Sequence, residues 1–388
     1  MSGAAAPRIA VMHEWLLDYA GSERVLREIL AVVPQADLYA LVDLPDEELR
    51  QAIPRRAKAT SFIQSLPRPR RWLRYYLPLM PLAVKRLDLS GYDIVISSNH
   101  AVAKGVSTGP RQMHLSYVHS PMRYAWDLRD EYLRAAGLER GPMAWAARLV
   151  LERLRRWDAR SATGVDVFLA NSMHVAQRIR KAYGREAQVL YPPVDVSAFP
   201  LTEKKGDCYV TVSRLEAYKR IDLLVAAFAR MPQRRLAVIG DGPEMRRLRA
   251  AAPANVSLLG RLPSSAVREH MQQARAFLFA GIEDFGIVMA EAQACGTPLI
   301  AFGAGGATEI AQGERSPRPT GLFFSEQSAA AVVEAVNRFD REAARFAPTA
   351  CRENALRFDR AEFRRGFEQS LWSHWERFSK EAVVHGTD

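Results

Sequence analysis

Twelve short apolar runs, separated almost throughout by stretches long enough to form a helix, constrain this chain more than any other feature. In the first half they are RIAVMH (8–13), ADLYALV (36–42), YDIVISS (92–98), MHLSYVH (113–119), VDVFLANS (165–172) and AQVLY (187–191). In the second half they are CYVTVS (208–213), RLAVIG (235–240), VSLLG (256–260), AFLFA (276–280), PLIAF (298–302) and GLFFS (321–325). The intervening segments, such as SERVLREILAVV (22–33) and KRIDLLVAAFARM (219–231), carry apolar residues at helical spacing. Runs rich in Val, Ile, Leu and Phe, without clean alternation, indicate parallel strands covered on both faces. The chain therefore reads as α/β, doubly wound, twice over.

A length of 388 residues fits two or three domains at roughly 100–200 residues each. The break falls in YPPVDVSAFPLTEKKGD (191–207), where three prolines and a charged end interrupt the helical period. The last stretch, EFRRGFEQSLWSHWERFSKEAV (362–383), reads as a long helix with an aromatic face. We expect domains over 1–195 and 196–365, followed by a terminal helix over 366–388. No apolar run approaches the roughly 20 residues of a membrane span; LPLMPLAV (77–84) has eight residues and two prolines. The opening MSGAAAPRIAVMHEW lacks the charged and long apolar regions of a secretory leader. Cys208, Cys295 and Cys351 are too scattered for a disulfide framework or a cysteine metal site. These readings predict a soluble protein of a reducing compartment.

Charge is the unusual bulk property. Fifty-four Lys and Arg oppose 43 Asp and Glu, a net of +11. Between Arg50 and Arg86 there are ten basic residues and no acidic one. Such a block suits an anionic lipid surface, a polyphosphate or a nucleic acid; an ordinary solvated surface is the plain alternative. Trp72, Tyr75 and Tyr76 lie inside it, and aromatic rings suit a membrane interface.

Open parallel sheets bind ligands at the carboxyl ends of their strands, so the residues after each run matter most. Arg214 follows 208–213, and Lys219–Arg220 then open a helix, a position that favours an anion over a bare cation. Gly240–Asp241–Gly242–Pro243 and Gly303, Gly305 and Gly306 let a ligand approach the backbone, although GDGP is not the dinucleotide fingerprint GxGxxG. After 276–280 comes GIEDFGIVMAEAQACG, with Glu283 in the loop and Glu291 inside a helix expected to start near Phe285. Eight helical residues rise about 12 Å, which exceeds the roughly 5–9.5 Å of a glycosidase carboxylate pair. The two glutamates therefore fit separate tasks, one on sugar hydroxyls and one on a ribose diol. The amides of Phe285, Gly286 and Ile287 between them form a phosphate cradle at a helix start. In the first half His119 closes a strand, and His13–Glu14 and Gly21–Ser22 bracket the first loop. No HExxH, acidic cluster, GxSxG or Walker sequence is present.

In this order, SRLEAYKR (213–220), GDGPE (240–244), EDFGIVMAE (283–291) and GTPLIAFGAGGATEI (296–310) resemble the retaining glycosyltransferases of family four. HEWLLDYAGSERVL (13–26) and YVHSPMRYAWDLRDEY (117–132) are similar to a bacterial branch rich in GDP-mannose-dependent mannosyltransferases of O-antigen and exopolysaccharide assembly. The resemblance implies the GT-B fold, with two Rossmann-like domains facing each other across a cleft and the terminal helix returning to the first. It implies that Arg214 and Lys219 grip the donor diphosphate, that Glu283 reaches the donor sugar and that Phe285, Gly286 and Ile287 present amides beside it. Glu291 would hold the ribose and His119 would stand near the reacting centre. Gly21, Gly242 and Leu262 complete the donor site, Leu262 in the base-contacting segment 256–262.

The implied reaction moves a hexose from a nucleotide sugar, GDP-mannose first, to a glycan or polyprenyl-diphosphate-linked acceptor. No cofactor and no metal is expected. The expected location is the cytoplasm, against the inner face of the plasma membrane through 50–86. A UDP-sugar transferase, or an epimerase or phosphorylase of the same fold, is the alternative. A nucleic-acid partner is not expected, since the basic block matches no nucleic-acid motif.

Overall fold

The computed structural model describes residues 6–127, 129–135, 137–138 and 140–385. Two compact units divide it: one runs to Tyr191 and resumes at Phe363, and the other is Pro192–Glu362. The first holds strands β1 (Ile9–Leu16), β2 (Asp37–Asp43), β3 (Ala59–Thr60), β4 (Ile94–Asn99), β5 (Met113–Val118), β6 (Val167–Ala170) and β7 (Gln188–Val189). The second holds β8 (Cys208–Val212), β9 (Arg235–Ile239), β10 (Val256–Gly260), β11 (Phe277–Phe279), β12 (Leu299–Phe302) and β13 (Gly321–Phe324). Strand order is β3-β2-β1-β4-β5-β6-β7 in the first sheet and β10-β9-β8-β11-β12-β13 in the second. Every pair within the sheets is parallel.

Both sheets are Rossmann-like, as the alternation of runs and helices predicts. The seventh strand of the first sheet, β3, was not expected from sequence. It is a two-residue edge strand inside the basic block, too short to leave an apolar run. Each order reverses once, between β1 and β4 and between β8 and β11, the point at which open parallel sheets bind their ligands.

Burial follows the period of the strand. Ile9 and Val11 of β1 join one core with Leu38, Ile94, Ile96 and Leu115, whereas Ala10 and Met12 join another with Tyr39, Leu41 and Val95. Successive side chains point to opposite faces, so one strand feeds two cores. The helix Gly21–Val32 supplies Val25, Leu26 and Ile29 to the first of them. The same core receives Phe363, Phe367 and Leu371 of the last helix, Arg360–His385. Those three recur every four residues and form a single stripe. The Phe363 ring lies 5.7 Å from Tyr117 and 5.9 Å from Phe367.

The proline-rich segment after Tyr191 is less open than its composition suggests. Val194 donates its amide to Phe358 at 2.8 Å and accepts from Arg360 at 3.2 Å, and a short turn, Val196–Ala198, follows. These bonds assign Pro192–Asp195 to the second unit.

All seven tryptophans fall in the first unit, so indole fluorescence follows its unfolding alone. Phe367→Ala should lower the stability read in that way, in urea, by about 3–5 kcal/mol. A loss below about 1 kcal/mol would mean that the last helix contributes little to this core.

Candidate functional site

Parallel register assembles a polar cluster at the reversal point of the first sheet. His13 on β1 pairs with Ser98 on β4, which in turn pairs with Tyr117 on β5, two residues before His119. The Ser98 hydroxyl lies 3.0 Å from His13 Nδ1 and 2.9 Å from His119 Nε2. His13 Nε2 reaches Glu23 Oε1 at 3.2 Å, and Glu23 Oε2 accepts the Ala20 amide at 3.1 Å, closing the turn that contains Gly21. His119 is held by its backbone as well: its amide donates to Asn99 at 2.8 Å, and its carbonyl accepts from Asn171 Nδ2 at 2.9 Å.

Glu14, fully buried next to His13, accepts amides from the turn after β4. His100, Ala101, Val102 and Ala103 donate to its Oε1 at 3.0, 2.5, 2.7 and 3.2 Å. The His100 ring pairs with its other oxygen. An ionised carboxylate accepts several bonds at once, and this one organises the turn.

A second cluster occupies the reversal point of the second sheet. Lys219 closes the turn after β8 and Glu283 lies in the loop after β11; the two form an ion pair, largely buried. Gly281 permits the approach. A Cβ there would meet Tyr218 O at 2.8 Å and Lys219 Cα at 2.9 Å. The Lys219 ammonium also lies over the rings of Tyr218 and Phe279, at 4.9 and 5.8 Å. Arg214 is exposed, and its guanidinium makes no ion pair among the described residues.

The helix predicted to start near Phe285 is Ile287–Ala294, two residues later. Gly286 precedes it with φ of 96°, a left-handed conformation that glycine adopts without strain. Phe285 is instead a buried anchor, its ring 5.2 Å from Phe358. Glu291 is buried on the helix, so neither member of the glutamate pair is a plain surface residue. The Arg220 guanidinium turns to Asp222, at 3.2 Å. Gly242 packs on the backbone of Leu215, where a Cβ would come within 2.6 Å of the carbonyl. The Gly260 carbonyl is taken by the Gly240 amide at 2.8 Å, and Leu262 is half-buried just beyond it.

The family described as Glycosyltransferase Family 4 matches residues 19–198, and that described as Glycosyl transferases group 1 matches 196–356. The first half of the chain thus carries a Glycosyltransferase Family 4 domain and the second half a Glycosyl transferases group 1 domain. A GDP-mannose-dependent monoacylated alpha-(1-6)-phosphatidylinositol monomannoside mannosyltransferase of Corynebacterium glutamicum is 33% identical over 178 residues, 38% of this chain and 47% of that one. A GDP-mannose-dependent alpha-(1-6)-phosphatidylinositol monomannoside mannosyltransferase of Mycobacterium tuberculosis is 30% identical over 221 residues, 49% and 54% of the two chains. The chain thus spans about half the length of these curated relatives. Anabaena HepE, crystallised with UDP, superposes with a TM-score of 0.67 at 17% identity, covering 94% of this chain and all of that one. The fold is GT-B.

Ser98, His100 and Asn171 join the first cluster, and sequence reading passed over them. The available signal was the polar ending SSNH on an otherwise apolar strand. Charge in the cluster is sharply distributed. Burial raises the Glu14 carboxyl, but the His100 imidazolium and the donated bonds outweigh it and bring it to about 2. Burial lowers His100, and Glu14 more than restores it, above its ordinary value. His119 is pushed to about 3, first by burial and then by the charge of His100. His114, buried beneath the sheet with Ser97 and the Gly164 carbonyl as partners, is pushed to about 4 by burial.

A histidine depressed in the fold takes a proton when unfolded before it can do so when native. His114 and His119 therefore contribute stability present above their ordinary 6.5 and lost as pH falls below it, each by about 1.4 kcal/mol per pH unit. Glu14 adds a loss of the same sign below 4.5. The raised His100 contributes fully in acid and loses its share only as pH rises through its folded value. Unfolding followed by indole fluorescence should thus show stability falling between about pH 6 and pH 4.5. His119→Asn should flatten that slope by about 1.4 kcal/mol per pH unit; an unchanged slope would mean that native His119 accepts the proton.

Proposed function

We propose that the protein is a retaining mannosyltransferase that takes its sugar from GDP-mannose and passes it to a glycan or lipid-linked oligosaccharide in bacterial surface-polysaccharide synthesis. The observation that carries this reading is the Lys219–Glu283 pair at the sheet reversal, next to the start of a helix. An ammonium has three hydrogens to donate, so Lys219 can hold Glu283 and a phosphate oxygen together. Arg214 and the first amides of the helix add positive potential where the leaving diphosphate gathers charge. Glu283 accepts hydroxyls of the donor sugar, and Glu291 takes the ribose diol.

The bond from the anomeric carbon to phosphate breaks as a bond to the acceptor oxygen forms on the same face. The acceptor's proton goes to the leaving phosphate oxygen. In this reading His119 stands near the reacting centre, and no divalent metal is required because lysine, arginine and amide groups meet the charge. The two mannosyltransferase relatives favour guanine and mannose. The solved neighbour with UDP supports the second reading, a UDP-sugar transferase on the same scaffold.

The basic segment supports a lipid-facing role. Leu73, Met80, Ala83 and Val84 turn into the core, while Trp72 is 38% exposed, Tyr75 64%, Leu79 41% and Leu82 47%. Arg55 binds the carbonyls of Pro34 and Ala36, and Arg56, Lys58 and Arg70 pair with Asp43, Asp37 and Asp18. Arg68, Arg71, Arg74, Lys85 and Arg86 are exposed and make no ion pair among the described residues. No described helix is long and apolar enough to cross a membrane. Exposed cations and aromatic rings on one short segment fit peripheral attachment to an anionic bilayer.

Calorimetry should find GDP bound at least about tenfold more tightly than UDP, as expected when a guanine edge meets an acceptor that uracil leaves unpaired. Tighter UDP binding would transfer the assignment to the second reading. Transfer from the nucleotide sugar should persist in excess EDTA, and Lys219→Ala should cost about 2–4 kcal/mol of transition-state stabilisation. Loss in EDTA that Mg²⁺ restores would overturn the metal-free site. Vesicle sedimentation should show binding to phosphatidylglycerol-containing liposomes and not to neutral ones. Equal binding to both, or to neither, would remove the membrane from the proposal.

A further inference from the structure

The contacts that position His119 also determine where its hydrogen sits. The links run Glu23 Oε1 to His13 Nε2, His13 Nδ1 to the Ser98 hydroxyl, and that hydroxyl to His119 Nε2, at 3.2, 3.0 and 2.9 Å. Glu23, His13 and Ser98 are all buried, so water does not compete for the links. Each link allows one hydrogen, and the direction of the first sets the rest. An ionised carboxylate can only accept, so His13 carries its hydrogen on Nε2. With that single hydrogen placed on Nε2, the ring offers its lone pair at Nδ1 and takes the one hydrogen of Ser98. The Ser98 oxygen, having donated, accepts from His119, whose hydrogen is thereby held on Nε2.

We propose that Glu23 sets the tautomer of His119 through His13 and Ser98, leaving His119 Nδ1 bare as a hydrogen-bond acceptor. Glu23, His13 and Ser98 are positioning residues; none needs to touch substrate. Their effect on catalysis rests on the reading of His119 given above, whereas the tautomer itself does not. The His100 ring lies 6.3 Å from that of His13 and 6.2 Å from that of His119. Paired with Glu14, it opposes a positive charge on His119, which keeps that ring to one hydrogen.

A single substitution should reverse every link. In Glu23→Gln the side-chain carbonyl stays with the Ala20 amide, which Glu23 Oε2 now accepts at 3.1 Å, and the new NH₂ faces His13. His13 Nε2 must then accept, its hydrogen moves to Nδ1, Ser98 accepts from it and donates to His119 Nε2. The hydrogen of His119 is left on Nδ1. The number of protons in the cluster is unchanged; only their places differ.

The test is selective ¹⁵N-histidine labelling of the full chain at neutral pH, with His119 signals identified by their loss in His119→Asn. A bare ring nitrogen resonates far downfield of a protonated one. In the parent, His119 should show a protonated Nε2 and a bare Nδ1, and in Glu23→Gln the reverse. In Ser98→Ala the link is cut, so His119 should average between tautomers and become indifferent to Glu23→Gln. The proposal is overturned if parent His119 is doubly protonated or bare at Nε2. It is equally overturned if Glu23→Gln leaves the parent pattern, or, should that variant fail to fold, if Ser98→Ala leaves it. In the transfer assay Glu23→Gln should lower kcat about tenfold or more with little change in donor KM. If His119→Asn turns over like the parent while the tautomer reverses as described, the catalytic reading of His119 falls and the tautomer assignment stands.

Discussion

Parallel pairing delivers the carboxyl end of every strand to one edge of its sheet, and the candidate chemistry of this chain depends on that constraint. Where the strand order reverses, the crossovers on either side leave in opposite directions and the strand ends are left uncovered. In the first sheet this happens between β1 and β4, in the second between β8 and β11. The residues found there are the polar exceptions of otherwise apolar strands: His13 and Ser98 in one, Lys219 and Glu283 just past the strand ends in the other. A register shift of one residue would turn each side chain to the opposite face. The cores on the two faces of β1, held by alternate residues, make such a shift costly and so hold the site in place.

Two ways of keeping charge out of water follow from that placement. Glu14 is a fully buried carboxylate among apolar strands, a costly arrangement unless its oxygens are satisfied. Four consecutive residues turn their amides inward to reach it, and the His100 ring pairs with its other oxygen. That arrangement requires the chain after β4 to curl at once into the turn Ala103–Gly105, and the curl carries His100 back over the cluster. Lys219 and Glu283 use the opposite device, pairing two side chains across neighbouring loops. The first is rigid because backbone cannot leave without unfolding the turn.

Sheet architecture was legible because it is written in composition. Buried parallel strands are runs of Val, Ile, Leu and Phe, and twelve such runs are visible without knowledge of any contact. The edge strand Ala59–Thr60 was not, since two residues carry no pattern. The second-unit candidates were likewise legible: Arg214, Lys219, Glu283 and Glu291 lie in ordered motifs, and polar groups in loops after apolar runs stand out. Ser98 and His100 did not stand out, because a serine or histidine at a strand end is ordinary until register places it beside another. Register is set by partners 85 residues apart, as in His13 and Ser98. The early helix start assigned to Phe285 failed for a local reason: an aromatic that serves as a core anchor looks, in sequence, like the first residue of a periodic face.

The contrast between the two clusters bears on what each can do. At the second-sheet reversal the ion pair contributes no net charge, so attraction for an anion must come from Arg214 and the helix amides. Pairing still matters, because it fixes the Lys219 ammonium in place before any ligand arrives and removes part of the ordering cost of binding. At the first-sheet reversal Glu14 and His100 pair as opposite charges, and burial keeps the His119 ring neutral. A neutral imidazole there attracts no anion; it discriminates by which of its nitrogens bears the hydrogen. In the function proposed above, the second unit stabilises the charge of the leaving group and the first tells uncharged hydroxyls apart by hydrogen-bond direction.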